Sequence, residues 1–137
     1  MKFAVRYYTR TGHTEKLAQA IAEALGTEAL DIGLPLTEDV DILFLGSAVY
    51  AAGLMDDSIE KFVKGIDVKV GKIVNFSSAA LLGSTRKQVK KFADAKGIPM
   101  AEEEFFCKGE FKFVAKGRPN AQDIADAAAF AKKFTAE

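Results

Sequence analysis

The sequence has one cysteine, one histidine and no net charge, and each scarcity excludes a class of function. The lone Cys107 forms no internal disulfide, and the sequence lacks the ligand spacing of a metal site. Nineteen basic residues balance nineteen acidic ones, so no net field favours nucleic acid or an anionic membrane as a partner. Apolar runs stay far below the roughly 18 residues that span a bilayer, and no signal-type stretch precedes the first one. We therefore expect a soluble, cytoplasmic protein.

The chain is 137 residues long and 49% hydrophobic, which suits one compact domain, residues 1–137, with one sizeable core. Strand-like patterns alternate with amphipathic helical ones. We predict strands at 2–8, 27–32, 41–47, 72–77 and 105–111. We predict helices at 14–25, 56–63 and 84–95, and a last helix that is capped by Asn120 and runs through Ile124 to Phe134. This alternation predicts an α/β fold, a doubly wound five-stranded parallel sheet of order 2-1-3-4-5 with helices on both faces. The connection of about eight residues between strands two and three fits poorly, because parallel crossovers usually need a dozen or more.

The junction between the first strand and the first helix reads Thr9, Arg10, Thr11, Gly12, His13 and Thr14. Three hydroxyls, a glycine and a run of backbone N–H groups meet there at a helix N-terminus, which adds unsatisfied donors and about half a positive charge. Such a junction is suited to a phosphate. An ordinary turn with an N-cap is the alternative explanation. The loop lacks the lysine of a Walker A motif and the repeated glycines of a dinucleotide fingerprint.

Two further loops are expected beside this junction. In a doubly wound sheet, ligands bind outside the carboxyl ends of the strands where the strand order reverses, here between strands one and three. The loop after strand three supplies Ala48, Val49, Tyr50, Ala51, Ala52 and Gly53, and the end of strand four supplies Ser77, Ser78 and Ala79. All of these loops are rich in small or hydroxylic residues.

The spacing Thr-x-Thr-Gly-x-Thr after a first strand, here Thr9, Thr11, Gly12 and Thr14, resembles the FMN-phosphate loop of the flavodoxin family. The loop after strand three also resembles the flavodoxin pattern, in which an aromatic residue, here Tyr50, stacks on the flavin. Further likenesses are the acidic helix start at Asp56 and Asp57 and the lead into the last helix at Gly117, Arg118, Pro119 and Asn120 with Asp123. The resemblance covers nearly the whole chain and suggests the short-chain type of flavodoxin.

This resemblance implies an FMN cofactor and electron transfer between redox partners, such as flavodoxin reductase or ferredoxin-dependent systems. It implies that the residues of the three loops named above bind the cofactor. The hydroxyls of Thr9, Thr11 and Thr14 would hold the phosphate together with backbone N–H groups, and the backbone from 51 to 53 would face the flavin N5. Neither nucleic acid nor a membrane is expected as a partner.

Two departures from the family leave other functions open. No second aromatic residue lies between Ser77 and Ser84, so one flavin face would be covered by aliphatic groups or left open. The neutral charge also differs from the usual acidity of flavodoxins. Both departures favour, as an alternative, an FMN-dependent enzyme that reduces a quinone or similar small acceptor with NAD(P)H. A flavin-free interaction domain on the same scaffold is the third possibility.

Three residues invite roles outside these loops. Arg6 lies in a strand that should be covered on both faces, so it needs a route to solvent or a carboxylate partner, and a structural ion pair is the simpler expectation. Cys107 is expected to be a small core residue of the last strand. His13 is expected to contribute its backbone N–H more than its ring.

Overall fold

The structure is a computed structural model that describes residues 1–9, 12–49, 57–79, 84–108 and 117–136. Within them, five strands form one parallel sheet of order β2-β1-β3-β4-β5, so the predicted doubly wound order is confirmed. The strands are β1 (Phe3–Tyr7), β2 (Ala29–Asp31), β3 (Val40–Val49), β4 (Val70–Ala79) and β5 (Met100–Lys108). The helices are α1 (His13–Leu25), α2 (Ser58–Lys64), α3 (Arg86–Lys96) and α4 (Ala121–Lys132), followed by a 3-10 turn at Lys133–Ala136. No helix of these ranges is long and apolar enough to cross a membrane.

The two faces of the sheet carry separate hydrophobic cores, because successive residues of a strand point to opposite faces. In β3, Phe44 packs under α1 and α4, whereas its neighbour Leu43 packs under α2 and α3. On the first face, Phe44 meets Phe134 edge to face, with ring centroids 5.4 Å apart. A strand buried on both faces reads as an unbroken apolar run, which explains the sequence of β3.

The end of α1 and the start of α4 follow capping signals in the sequence, whereas the start of α2 does not. Gly26 ends α1 in the left-handed conformation, with φ of 72°. Asn120 and Asp123 form a reciprocal capping box at the start of α4. Asp57 is the N-cap of α2, but its side chain makes no capping hydrogen bond. The predicted helix start at Asp56 lies outside the described residues.

The strand boundaries differ more from the prediction, and mostly at the edges of the sheet. β2 has three residues, and β5 begins at Met100, five positions before the predicted start. β5 is an edge strand, which pairs on one side only, so its sequence need not show the apolar run of a central strand. It contains three consecutive glutamates at 102–104. Gly109 and Phe111, which the prediction placed in the same strand, lie outside the described residues.

Arg6 explains how the short connection between β2 and β3 is accommodated. Residues 32–39 cross β1 without a helix, and Arg6 donates from Nε to the Leu34 carbonyl at 2.8 Å and from Nη2 to the Pro35 carbonyl at 3.4 Å. A third bond joins Nη1 to the carbonyl of Val5. In the described part of the chain, backbone carbonyls thus take the place of the carboxylate that we expected beside Arg6. Burial lowers the pKa of this guanidinium.

Candidate functional site

The described ends of the predicted phosphate junction, Thr9 and Gly12, are in contact after β1. The Thr9 hydroxyl oxygen accepts a hydrogen bond from the Gly12 N–H at 3.1 Å, and Gly12 has φ of 84°. Gly12 is also the N-cap of α1, and it brings no side-chain acceptor to the first helical turn. At a helix start without a side-chain cap, backbone N–H groups lack an acceptor, and an anion can accept their hydrogen bonds. Arg10 and Thr11 lie outside the described residues.

Thr14 connects this junction to the end of β4. It is fully buried, and its hydroxyl oxygen lies 3.1 Å from that of Ser78, which is also buried. Either hydroxyl can donate this bond. Two residues predicted for the site from different loops are therefore in direct contact, and the start of α1 is fixed against the sheet. If the Thr14 hydroxyl donates this bond it can still accept two others, and if it accepts this bond it can still donate one and accept one.

Tyr7 and Glu15 add a charged group beside the same turn. Glu15, in the first turn of α1, lies close to the Tyr7 side chain. Burial, followed by the nearby Glu15 carboxylate, raises the pKa of Tyr7. The first turn of α1 thus has an acidic residue already engaged with the end of β1.

The ends of β3 and β4 bring the second and third groups of predicted residues side by side. Ala48 pairs with Ser78 and Val49 pairs with Ala79 in the parallel register. On the other side of β3, β1 pairs with it up to Tyr7 and Gly46, so all three groups follow strand ends at the same edge of the sheet. The predicted residues Tyr50, Ala51, Ala52 and Gly53 lie outside the described residues.

Gly46 is required by packing at this edge. A Cβ atom at position 46 would overlap the ring of Phe76, its neighbour in β4. The glycine at this position of β3 thus has a steric cause within this chain. The ring of Phe76 fills the space and belongs to the core under α1 and α4.

A buried polar cluster lies on the opposite face of the same two strand ends, and Thr85 is its centre. The Thr85 hydroxyl accepts hydrogen bonds from Ser47 Oγ at 2.8 Å and from Asn75 Nδ2 at 3.1 Å. The Thr85 N–H approaches Ser77 Oγ at 3.4 Å. All four residues are at most 1% exposed. The cluster fixes the start of α3 against β3 and β4.

Sequence reasoning found Ser77 but missed Asn75 and Thr85. The available signal was Asn75 itself, a polar residue inside the apolar run of β4, because buried polar groups are almost always hydrogen-bonded. The Asn75 side-chain oxygen finds no donor among the residues that the structure describes. The role of Thr85 as the partner of Asn75 was not predictable, because Thr85 follows a loop whose path the sequence does not specify.

Arg118 and Asp123 hold the chain segment before α4. Arg118 donates from Nε to Asp123 Oδ2 at 2.6 Å and from Nη2 to Oδ1 at 2.7 Å, and the Asn120 N–H also bonds Oδ2. The hydrogen bond from Arg118, followed by that from Asn120, lowers the pKa of Asp123 against the opposing effect of burial. Cys107 lies near this pair and belongs to the core, as predicted. Burial raises the pKa of the Cys107 thiol to about 12.

The described residues contain no cluster of histidine, cysteine and carboxylate side chains that could hold a metal ion. A cavity of about 520 Å³ lies at the amino end of β1, around Lys2, Thr27 and Glu38. It is remote from the three predicted loops, and Lys2 and Glu38 form an ion pair there at 2.6 Å. We therefore take as the candidate site the carboxyl edge of the sheet, where Gly12 contacts Thr9, Thr14 contacts Ser78, and Ala79 ends β4.

No protein-family model and no curated protein matches the sequence. Solved flavodoxin structures do match it. Oxidised flavodoxin 1 from Bacillus cereus has a TM-score of 0.76 at 18% identity, covering 100% of this chain and 99% of that one. Flavodoxin 2 from the same organism has a TM-score of 0.76 at 20% identity and covers 99% of each chain.

A flavodoxin mutant from Fusobacterium nucleatum, bound to flavin mononucleotide, has a TM-score of 0.64 at 15% identity and covers 98% of this chain and 97% of that one. At such identities the likeness shows the fold alone. The chain has the flavodoxin fold, which confirms the fold that the sequence motifs implied.

Proposed function

We propose that the chain binds FMN at the carboxyl edge of β1, β3 and β4 and transfers electrons between redox partners. The observation that carries this proposal is the start of α1 at the reversal point of the sheet, which has no side-chain cap and is held to Thr9 by the Gly12 N–H. A single terminal phosphate fits such a helix end. The likeness to an FMN-bound flavodoxin supports the choice of FMN.

The phosphate would be held by the first loop. The backbone N–H groups of His13 and Thr14 belong to the first turn of α1, where donors are oriented toward an anion. The Gly12 N–H is already bonded to the Thr9 hydroxyl, which fixes the position of the helix start. The hydroxyl of Thr11 is proposed as the side-chain donor, and Arg10 is proposed to add charge. Thr14 would contribute mainly its N–H, because its hydroxyl already bonds Ser78.

The flavin ring would lie between the loops after β3 and β4. We assign Tyr50 as the stacking residue and the backbone of Ala51, Ala52 and Gly53 as the neighbour of N5. The ring would contact the ends of two strands, at Ala48 and Val49 of β3 and at Ser77, Ser78 and Ala79 of β4. When bound, FMN supplies the redox chemistry, and the protein supplies binding, orientation and electrostatics. A cytoplasmic location and a single domain over residues 1–137 are parts of this proposal.

The alternative function is an FMN-dependent reductase of quinones or similar small acceptors with NAD(P)H. The neutral charge and the absence of a second aromatic residue between Ser77 and Ser84 favour it. Steady consumption of NAD(P)H in the presence of a quinone by the purified, FMN-loaded protein would establish the enzyme. An electron carrier would show no such turnover unless a separate reductase is added.

The visible absorption spectrum tests FMN binding. The protein is loaded with FMN, desalted and compared with Thr11→Ala, which removes the proposed phosphate donor. A matched control is Thr37→Ala, an exposed threonine at the opposite end of the sheet. We expect flavin absorption to stay with the parent and the control, and flavin affinity to fall roughly tenfold to a hundredfold in Thr11→Ala. A parent protein that stays colourless with added FMN would overturn the proposal.

A further inference from the structure

We propose that the cavity beside β1 binds a small carboxylic acid with a short apolar chain, and that Arg6 holds its carboxylate. The cavity measures about 520 Å³, which lies within the range of roughly 300 to 1,000 Å³ that small-molecule sites occupy. It extends along β1 from Lys2 to Arg6, between the start of β2 and the crossover into β3. It shares no residue with the proposed FMN site, so this proposal does not depend on FMN.

Arg6 is one of two buried charges in the described chain, and it is the one without a counter-ion. Arg6 is 8% exposed and Asp123 is 7% exposed. Asp123 pairs with Arg118 at 2.6 Å, whereas Arg6 bonds three backbone carbonyls and no carboxylate of the described residues. Carbonyl groups satisfy its hydrogen bonds but leave its net positive charge in a region of low dielectric. A bound carboxylate would neutralise that charge.

The hydrogen bonds of Arg6 leave two donors for a ligand. A guanidinium group has five N–H groups. Three of them are bonded: Nε to the Leu34 carbonyl, Nη2 to that of Pro35 and Nη1 to that of Val5. The other two belong to Nη1 and Nη2, one on each nitrogen. Such a pair of donors on one planar group suits the two oxygens of a carboxylate. Arg6 can therefore hold the crossover and a ligand at the same time.

Aliphatic side chains line the cavity beside Arg6. Leu30 is the register partner of Arg6 in β2, so both side chains are on the same face of the sheet. Ala4 is on this face too, two positions before Arg6, and Leu36 lines the cavity from the crossover. Leu30 is half-buried, which leaves part of its surface for contact with a ligand. Apolar surface next to a guanidinium favours an organic carboxylate over inorganic phosphate.

The exposed charges that line the cavity favour a ligand with a single negative charge. Lys2 and Glu38 form an ion pair at 2.6 Å, and both side chains are more than half exposed. Glu28 also lines the cavity and is exposed. Together with Arg6, the charged lining residues are two cations and two anions. A monoanion that reaches Arg6 is therefore favoured, whereas a dianion would also be repelled by two carboxylates near the entrance.

The first test titrates the full chain, with and without FMN, with hexanoate while amide and arginine signals are recorded by NMR. We expect the Arg6 Nε–H signal and the amide signals of Leu30 and Thr37 to shift, and those of Gly12 and Ser78 to stay. Hexanamide has the same chain without the charge, so it should bind at least roughly tenfold more weakly. Equal binding of hexanoate and hexanamide, or shifts confined to other parts of the chain, would overturn the proposal. Inorganic phosphate that bound as tightly as hexanoate would also contradict it.

The second test changes the charge at the entrance and leaves Arg6 in place. Glu38→Gln removes a carboxylate from the lining, so it should tighten hexanoate binding by up to about fivefold at low salt, and less at high salt. Glu102→Gln is the matched control, because it makes the same change at an exposed position of β5, at the other edge of the sheet. Equal hexanoate affinities of these two variants at low salt would contradict a site at this cavity.

The third test fills the cavity. Leu30→Phe places a larger side chain in the lining, so it should weaken hexanoate binding at least roughly threefold. Leu34→Phe is the matched control, because Leu34 is an exposed leucine of the crossover that does not line the cavity. Arg6→Met should bind hexanoate no better than hexanamide, because it lacks the group that distinguishes them. Hexanoate affinity equal to that of the parent in Leu30→Phe, or a retained preference for hexanoate in Arg6→Met, would refute the proposal.

Discussion

Replacing Thr85 by valine should destabilise the folded protein strongly, although the two side chains have nearly the same shape. The Thr85 hydroxyl oxygen accepts bonds from Ser47 Oγ at 2.8 Å and Asn75 Nδ2 at 3.1 Å, and all three residues are at most 1% exposed. Valine leaves both donors without their acceptor in a region that excludes water. Each unsatisfied buried donor costs about 1 to 3 kcal/mol, so Thr85→Val should lower the free energy of unfolding by about 2 to 6 kcal/mol.

The matched variant Thr85→Ser retains the acceptor and removes only a methyl group. Losing one buried methyl group costs about 1 kcal/mol, so Thr85→Ser should be clearly the milder change. Urea denaturation of the cofactor-free protein measures both, with the slope m as the check that unfolding stays two-state. Thr85→Val as stable as Thr85→Ser would refute the reasoning, because the hydroxyl would then contribute nothing as an acceptor.

Three further predictions concern stability and its dependence on pH. Arg6→Met should lower the free energy of unfolding by about 1 to 3 kcal/mol in urea denaturation, because it removes the donors that hold the crossover carbonyls; an unchanged midpoint would contradict this role. Gly46→Ala should lower the thermal midpoint, because the added methyl group meets the ring of Phe76, and a crystal structure without displacement of that ring would refute the cause. The pKa of Asp123 is lowered in the folded state, chiefly by Arg118, so its contribution to stability is present above its ordinary pKa of 3.8 and is lost as the pH falls through the lowered value. The stability difference between the parent and Asp123→Asn should therefore shrink in that acidic range, and a difference independent of pH would contradict it.

The fold was predictable because its signals are local and repeated. The apolar run of β3, the spacing of Leu17 and Ile21 in α1, and Gly26 as its stop each point to one type of element. Because strands and helices alternate along the chain, only a few strand orders are possible for the sheet. The edge strand β5 was predicted less well, because partial exposure weakens its apolar pattern.

The candidate site was predictable only as a set of loops. The sequence placed Thr14 and Ser78 in the site because they follow strand ends, and the structure brings their hydroxyls to 3.1 Å. It did not reveal the partner of Arg6, because backbone carbonyls in a crossover have no sequence signature. Nor did it reveal Thr85 as the acceptor for Ser47, because such a contact depends on how α3 packs on the sheet.

The central claim is that the helix start at Gly12 binds the phosphate of FMN, and a comparison of two ligands tests it most directly. Riboflavin has the same ring as FMN and lacks the phosphate, so their difference in dissociation constant isolates the phosphate contacts. Isothermal titration calorimetry on the cofactor-free protein should show FMN binding at least roughly a hundredfold more tightly, since two hydrogen bonds to a charged group contribute about 3 to 6 kcal/mol. Equal affinities for FMN and riboflavin, or binding of neither, would contradict the account.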